Sequence, residues 1–387
     1  MKHARLGLAC LLIGGSVVSA GAASLSAQAD LQRLTFAELR GWEVDDHGEA
    51  FAAFRRSCRF MKSQEKPVRT GKPTGAKLAR VCAEALSLGN LDNQAARSFF
   101  ESRFTPFAVV PKQGDGFLTA YYEPEFKGSR RRTATYQVPL LAKPDDLVTI
   151  PQGRKPRGLP PGLQAARRKP GGKILEPYPD RAAIETGALG DLAKPVVYLK
   201  EPGEAFIIHV QGSARIKLSD GTSMRVAYAG RNGRPYTSIG KLLVQRGELD
   251  LESMTLAKLM GWLKDHPDDA RDLMRQNQSY IFFREATELA HADGPVGGAG
   301  HPLVPGRSLA VDRSLWSYGV PFWLDGTLPR SLTQAEPLQR LMIAQDTGSA
   351  IVGPARGDFF FGSGEEAGRL AGLMRHKTRF FVLQPKG

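Results

Sequence analysis

Between residues 47 and 61 apolar side chains recur every three or four positions, at Phe51, Phe54, Cys58 and Met61, and the spacing returns at Leu78, Cys82, Ala85 and Leu86. That period lays each set along one face of a helix. Asp92 precedes a third run, Ala95, Ala96, Phe99 and Phe100, and suits an N-cap. Residues 30–105 therefore read as helical, over His47–Met61, Lys77–Leu86 and from Asp92 on, with a basic, Pro- and Gly-bearing loop at Lys66–Lys77.

From Gly116 the apolar runs shorten. Phe117–Tyr122 reads as a strand stopped by Pro124. Gly128–Lys173 is basic and Pro-rich and reads as surface loops with few strands. Strand signals return at Pro195–Leu199, Phe206–Gln211 and Ser213–Leu218, and Asp220-Gly221 makes a hairpin turn before Arg225–Tyr228. Ile239–Gln245 and Thr255–His266 have a helical pattern, and Ser279–Phe283 is a short apolar strand. Beyond residue 290, strands at Ser308–Asp312, Pro321–Leu324, Arg340–Gln345 and Arg379–Leu383 surround one helix, Glu365–Arg375, a combination that suits a small barrel. With 387 residues, 42 Gly, 26 Pro and no internal repeat, the chain predicts two mainly β domains after N-terminal helices.

Lys2, His3 and Arg5 precede an apolar run, Leu6–Ala20, and then Ala27-Gln28-Ala29. This is the order of a secretion signal with its cleavage site, so residues 1–29 are expected to be a signal peptide. Gly7 stands where a lipid-attachment box before Cys10 needs leucine, so no lipid anchor is expected. The formal net charge is +14, and cleavage removes only Lys2 and Arg5 from it. A basic exported chain suits a polyanionic wall polymer rather than nucleic acid, although charge also serves plain solubility. Cys58 and Cys82, both on apolar helix faces, are a candidate disulfide in an oxidising compartment; two buried free thiols are the alternative.

Several catalytic devices are missing. The sequence has no HExxH, no CxxC pair, no Gly-x-Ser-x-Gly and no Walker loop, and none of its seven histidines pair at ligand spacing. No metal and no cofactor are expected, and carboxylates remain as the chemical groups. Asp346 and Asp358 lie in one Gly-bearing, β-rich unit, and Asp358 directly precedes Phe359-Phe360-Phe361. An acid desolvated by aromatics has a raised pKa and keeps a proton near neutral pH. A turn aspartate is the competing reading. In Tyr121-Tyr122, alternation puts one ring on each strand face, one to pack and one to stack on a ligand such as a sugar. Gln211, Ser213, Tyr236 and the Asn of Tyr228–Gly233 are side chains of the kind that read glycan hydroxyls and amides.

Seven stretches, in order, resemble the membrane-bound lytic murein transglycosylase A family and its C-terminal module named for three aspartates. They are Tyr121-Tyr122-Glu123-Pro124, Val210-Gln211-Gly212-Ser213, Tyr228–Gly233, Tyr236–Lys241, Asn277–Phe283, Arg307–Ser314 and Asp346–Gly364. The resemblance implies a double-psi β-barrel domain from residues 30–125 and 286–387, with the three-aspartate module at about 290–387. A smaller β-domain over 126–285 would be inserted into it, leaving a glycan groove between the two. It matches the three aspartates to Asp312, Asp346 and Asp358, with Asp358 as the catalytic acid and Asp346 and Asp312 in support. Tyr122, Gln211, Ser213 and Tyr236 are the glycan-contact candidates. Family members are outer-membrane lipoproteins; without the lipid box, the periplasm is the expected location, with outer-membrane association the other option.

The implied reaction cleaves the bond between N-acetylmuramic acid and N-acetylglucosamine. Asp358 would protonate the linking oxygen, then, as a carboxylate, take the proton of the muramic 6-hydroxyl as it closes a 1,6-anhydro ring. Ordinary glycosidases need two carboxylates. A hydrolase on this scaffold would need Glu123 or Asp346 as the second, and a non-catalytic wall-binding protein would need neither. Glycan strands are the expected partner, other cell-wall enzymes are candidates, and a monomer is expected.

Overall fold

The computed structural model describes residues 24–387 except 152, 153, 155, 157, 170, 173, 174, 251, 252 and 291. Most of the expected signal peptide lies outside the described residues; Leu25–Gln28 is a short helix and Ala29 opens the strand Ala29–Arg33.

Three helices follow the helical spacing: His47–Ser63, Ala76–Ser87 and Asn93–Arg103. Asp46 and Asp92 cap the first and third, each accepting a backbone N–H, from Glu49 and Ala95, at 2.8 Å. Their apolar faces meet in one core, where Phe51 and Phe54 pack edge-on against Phe99 and Phe100 and the cluster closes on Trp323 and Ile343. The Cys58 and Cys82 sulfurs, bonded at 2.05 Å, join the first two helices. Helical structure ends earlier than the sequence suggests: Phe104–Pro111 is a strand. Its Phe104 still packs in the helical core, which extends the apolar pattern past the last helical residue.

The larger sheet has nine strands. Their order is Ala29–Arg33, Phe104–Pro111, Arg379–Pro385, Pro321–Pro329, Ala335–Asp346, Ser308–Val311, Arg356–Ser363, Phe117–Glu123 and Arg375–Lys377. Two pairs in it are parallel: Ser308–Val311 with Ala335–Asp346, and Arg356–Ser363 with Phe117–Glu123. After Glu123 the chain enters a six-stranded sheet through Glu125–Ser129 and leaves it through Ile281–Glu285. A three-stranded sheet, Leu147–Thr149, Ala165–Arg168 and Leu175–Pro177, lies beside it.

Three expectations are corrected here. Phe206–Gln211 is not a strand but the end of a helix, Pro202–Gln211. Pro202 starts it, Glu201 and Glu204 form a capping box, and left-handed Gly212 (φ 85°) ends it. Its apolar run is buried on more than one side, so periodicity could not separate helix from strand. Gly128–Lys173, expected to be loops with few strands, contributes Val138–Leu141, Leu147–Thr149 and Ala165–Arg168. Residues 126–285, expected to form a β-domain, also hold five α-helices among those described, so this stretch is mixed rather than purely β.

Candidate active site

The strand Arg356–Ser363 is central to the site. Its alternation turns Gly357 and Phe359 into a core with Leu118, Leu309 and Phe380. Phe360 faces the other way, against Tyr121, Leu303, Ala310 and Ile351. Asp358 has the same parity as Phe360, so it shares that second face. The register sets its neighbours: Asp358 is opposite Thr119 on one side and Ala310 on the other. The aromatic run thus acts less directly than expected. Phe359 packs behind the strand, and the rings on the acid's own face are Phe360 and Tyr121, with centroids 5.2 Å apart.

Thr119 Oγ1 donates to the Asp358 carboxylate and accepts from the Arg356 guanidinium at 2.7 Å. Burial drives the Asp358 pKa upward, to about 6. Arg356 and the Thr119 hydroxyl pull it back, and the Asp346 charge pushes it up further. A carboxyl of this kind holds a proton at mildly acidic pH and can release and recover it.

Asp346 ends the strand Ala335–Asp346 and accepts backbone N–H groups from Gly298 (2.6 Å) and Thr347 (2.8 Å). Burial raises its pKa too. The buried Tyr121 hydroxyl lies beside Asp346, and both Asp346 and Asp358 reinforce the effect of burial in keeping that phenol protonated. Asp312 is committed to other partners. One oxygen accepts from Ser314 N–H (2.9 Å) and Ser314 Oγ (2.6 Å), and the other from Gly353 N–H (2.8 Å). It therefore anchors the loop joining Asp346 to the Asp358 strand.

The glycan-contact candidates separate. The ring of Tyr122 is buried against the helix Glu365–Leu373, so close to Gly368 that a Cβ there would lie 2.6 Å from it. It offers no stacking face. Gln211 accepts from the Tyr122 backbone N–H at 3.2 Å, and Ser213 is buried at the start of its strand. Both lie at the contact of insert and large sheet. Tyr236 is different. It is 37% exposed and lines a cavity of about 820 Å³ with Gln164, Arg231 and Ser349. Its phenol pKa is raised, by burial of the hydroxyl end first and also by the Asp358 charge.

The asparagines near Tyr236 are structural. Asn232 accepts from Tyr280 N–H (2.9 Å) and donates to the carbonyls of Pro179 and Gln278. Asn277 accepts from Thr237 N–H (3.1 Å). Together they hold the loop that presents Tyr236. Gly233 turns this loop at φ 77°, and a Cβ there would lie 2.2 Å from Ala165 N.

Glu123, a candidate second carboxylate, is fully buried. It pairs with Arg215 at 2.8 Å and Arg225 at 3.0 Å, and Ser363 Oγ donates to it at 2.7 Å. Both arginines belong to the six-stranded sheet, so Glu123 joins the two sheets. Thr119 and Arg356 are site residues that the sequence did not single out, and of the two tyrosines it is Tyr121, not Tyr122, that lies on the face of Asp358. The parity of Thr119 and Tyr121 was visible, but the strand pairing that places them beside Asp358 was not. Among the described residues, no group of three His, Cys, Asp or Glu side chains could hold a metal ion.

Residues 117–284 match the family described as the MltA specific insert domain, and residues 307–384 match the 3D domain. A membrane-bound lytic murein transglycosylase A of Escherichia coli K12 is 32% identical over 276 residues, 70% of this chain and 66% of that protein. The solved structure of a membrane-bound lytic murein transglycosylase from Agrobacterium tumefaciens superposes with a TM-score of 0.82 at 37% identity, covering 92% of this chain and 98% of that one. E. coli MltA with bound chitohexaose superposes with a TM-score of 0.61 at 28% identity, covering 87% of this chain and 90% of that one.

Proposed function

The chain belongs to the membrane-bound lytic murein transglycosylase A family, and from that premise we propose that it is a lytic transglycosylase of peptidoglycan with Asp358 as its single acid and base. The observation that carries the reading is one buried carboxyl, whose pKa burial raises to about 6, with no free second carboxylate beside it among the described residues. Glu123 is held by two arginines. Asp346 is buried and committed to two backbone N–H groups. Neither is free to activate water, as a hydrolase would need. The substrate's own 6-hydroxyl then serves as the nucleophile.

In this mechanism Asp358–OH donates its proton to the oxygen between N-acetylmuramic acid and N-acetylglucosamine. Positive charge develops at the anomeric carbon as the bond breaks. The Asp358 carboxylate then accepts the proton of the muramic 6-hydroxyl while that oxygen bonds to the anomeric carbon. Asp358 ends protonated again, and no water is consumed. Thr119 holds the carboxyl oxygen in place, and Tyr121 and Asp346 shape its surroundings. Tyr236 is a glycan contact, while Gln211, Ser213 and Tyr122 support the groove from behind.

We read the nine-stranded sheet as the family's double-psi barrel, on the strength of its two parallel pairs within an otherwise antiparallel order. Residues 126–285 form the inserted domain. No described helix is long and apolar enough to cross a membrane, and the basic charge suits a periplasmic protein working on an anionic wall.

Mass spectrometry of muropeptides released from purified peptidoglycan tests the reaction. The expected result is 1,6-anhydro products from the wild type and none from Asp358→Ala. Reducing-end products would replace the transglycosylase with a hydrolase, and no product from either protein would leave a wall-binding protein.

A further inference from the structure

The cavity that Tyr236 lines is unusual in its charge. Arg231, Arg234 and Lys241 are on its wall, and among the described residues no aspartate or glutamate is. Arg231 is only 8% exposed. Its guanidinium donates to Ser349 Oγ, in the loop joining Asp346 to the Asp358 strand, and to the Gln164 side chain. Both are neutral partners. Behind it lie two more guanidiniums. Arg69 donates to the Thr347 carbonyl at 3.0 Å and sits over the Tyr228 ring at 5.4 Å, and Arg313 donates to the Thr70 carbonyl. Among the described residues none of Arg69, Arg231, Arg234, Arg313 or Lys241 has a carboxylate within salt-bridge distance.

Such an arrangement opposes itself. Burial and then repulsion from Arg69 and Arg313 bring the Arg231 pKa down to about 10, still well above neutral, so its guanidinium stays charged. A buried cation without a counter-ion is costly, and an anion arriving from outside would relieve that cost. The contrast within this chain is direct, because Arg225 and Arg307 are as enclosed as Arg231 and each has its carboxylate.

We propose that this basic cavity is the seat of the peptide stem on the muramic acid, and that Arg231, Arg234 and Lys241 bind its carboxylates. The inference rests on the transglycosylase reading for the substrate's identity, but on the cavity's own chemistry for its charge. A strand stripped of its stems offers only the lactyl carboxylate held close to each muramic ring. A stem-bearing strand brings several, on a flexible chain that a cavity of about 820 Å³ accommodates. Tyr236, at the cavity wall and within the field of Asp358, connects the stem's seat to the sugar being cut.

Binding is the test, made on the Asp358→Asn protein so that substrate survives. Titration calorimetry compares glycan strands carrying stems with strands stripped of them by an amidase. Stem-bearing strands should bind about threefold to tenfold tighter, the range that one or two half-exposed charge pairs supply. Lys241 is exposed at the helix Ile239–Gln245 and Lys241→Gln leaves packing intact, so it should bring the ratio of the two affinities toward one. Arg231→Gln should do so more completely, with circular dichroism confirming its fold. High salt should erase the preference as well. Equal binding of both strands, or a preference that survives both substitutions, overturns the proposal. Absence of anhydro products from the wild type would instead sink the reaction, and leaves this binding measurement valid.

Discussion

Glu123 and Asp358 lie on the same parallel strand pair, and their surroundings treat them in opposite ways. Glu123 meets two guanidiniums and a serine hydroxyl, one set from each sheet. Asp358 meets one threonine hydroxyl, and the arginine nearest to it, Arg356, donates its hydrogen bonds to Thr119 and to a carbonyl instead. Burial alone therefore does not make a carboxylate chemical. A buried carboxylate paired with two guanidiniums is committed to them, and its role is to hold two sheets together. A buried carboxylate with partial compensation keeps a pKa near 6 and can carry a proton both ways.

The largest effect should come from removing the compensated charge. Glu123→Gln leaves the buried Arg225 without a counter-ion and the half-buried Arg215 without its partner, and breaking a buried pair in this way costs about 3–5 kcal/mol. Denaturant unfolding of the wild type and the variant measures it, as a lower midpoint. A change below about 1 kcal/mol, the value of an exposed pair, would erase the distinction between the two carboxylates.

Asp346→Asn tests the other side. The amide oxygen can still accept from Gly298 and Thr347, so the fold should persist. The like charge that raises the Asp358 pKa is gone, however. Cleavage begins with protonated Asp358, so activity is lost as pH rises through its pKa. That alkaline limb should sit near pH 6 in the wild type and move to lower pH in the variant, with a lower rate at neutral pH. An unmoved limb would mean that the two aspartates do not communicate.

How much of this was legible beforehand depended on whether the information was local. Helices announced themselves through Phe51, Phe54 and Cys58, and their caps through Asp92, because spacing and capping act within a few residues. Asp358 could be singled out by its aromatic neighbours and, through the family resemblance, by its motif. The Phe206–Gln211 run could not be assigned, since an apolar stretch buried all round has no telling period; Pro202 and Gly212 were the better signals. The choice between Tyr121 and Tyr122 was a matter of which face meets which element, and that is decided by a strand pairing across more than two hundred residues. The same holds for Arg215 and Arg225, whose partner Glu123 lies about a hundred residues away.

The smallest effect, and the finest test, belongs to Thr119. Its hydroxyl donates to the Asp358 carboxyl, a hydrogen bond that is stronger to the carboxylate than to the neutral acid and so favours the ionised form. Thr119→Val keeps the shape and the β-branched strand preference and deletes that donor. Arg356 loses one acceptor at the same time. The ionised form of Asp358 becomes less favourable, so its pKa should rise from about 6 and the alkaline limb should move to higher pH, opposite in sign to Asp346→Asn. Hydrogen bonds to charged groups contribute about 1.5–3 kcal/mol, part of which Arg356 can recover by turning its freed N–H toward the carboxylate. Because protonation is needed first and the carboxylate second, the variant should gain activity above the wild-type limb while its rate plateau at low pH falls. The pH–rate profile separates the two: a plateau that falls with an unmoved limb would make Thr119 a packing residue only.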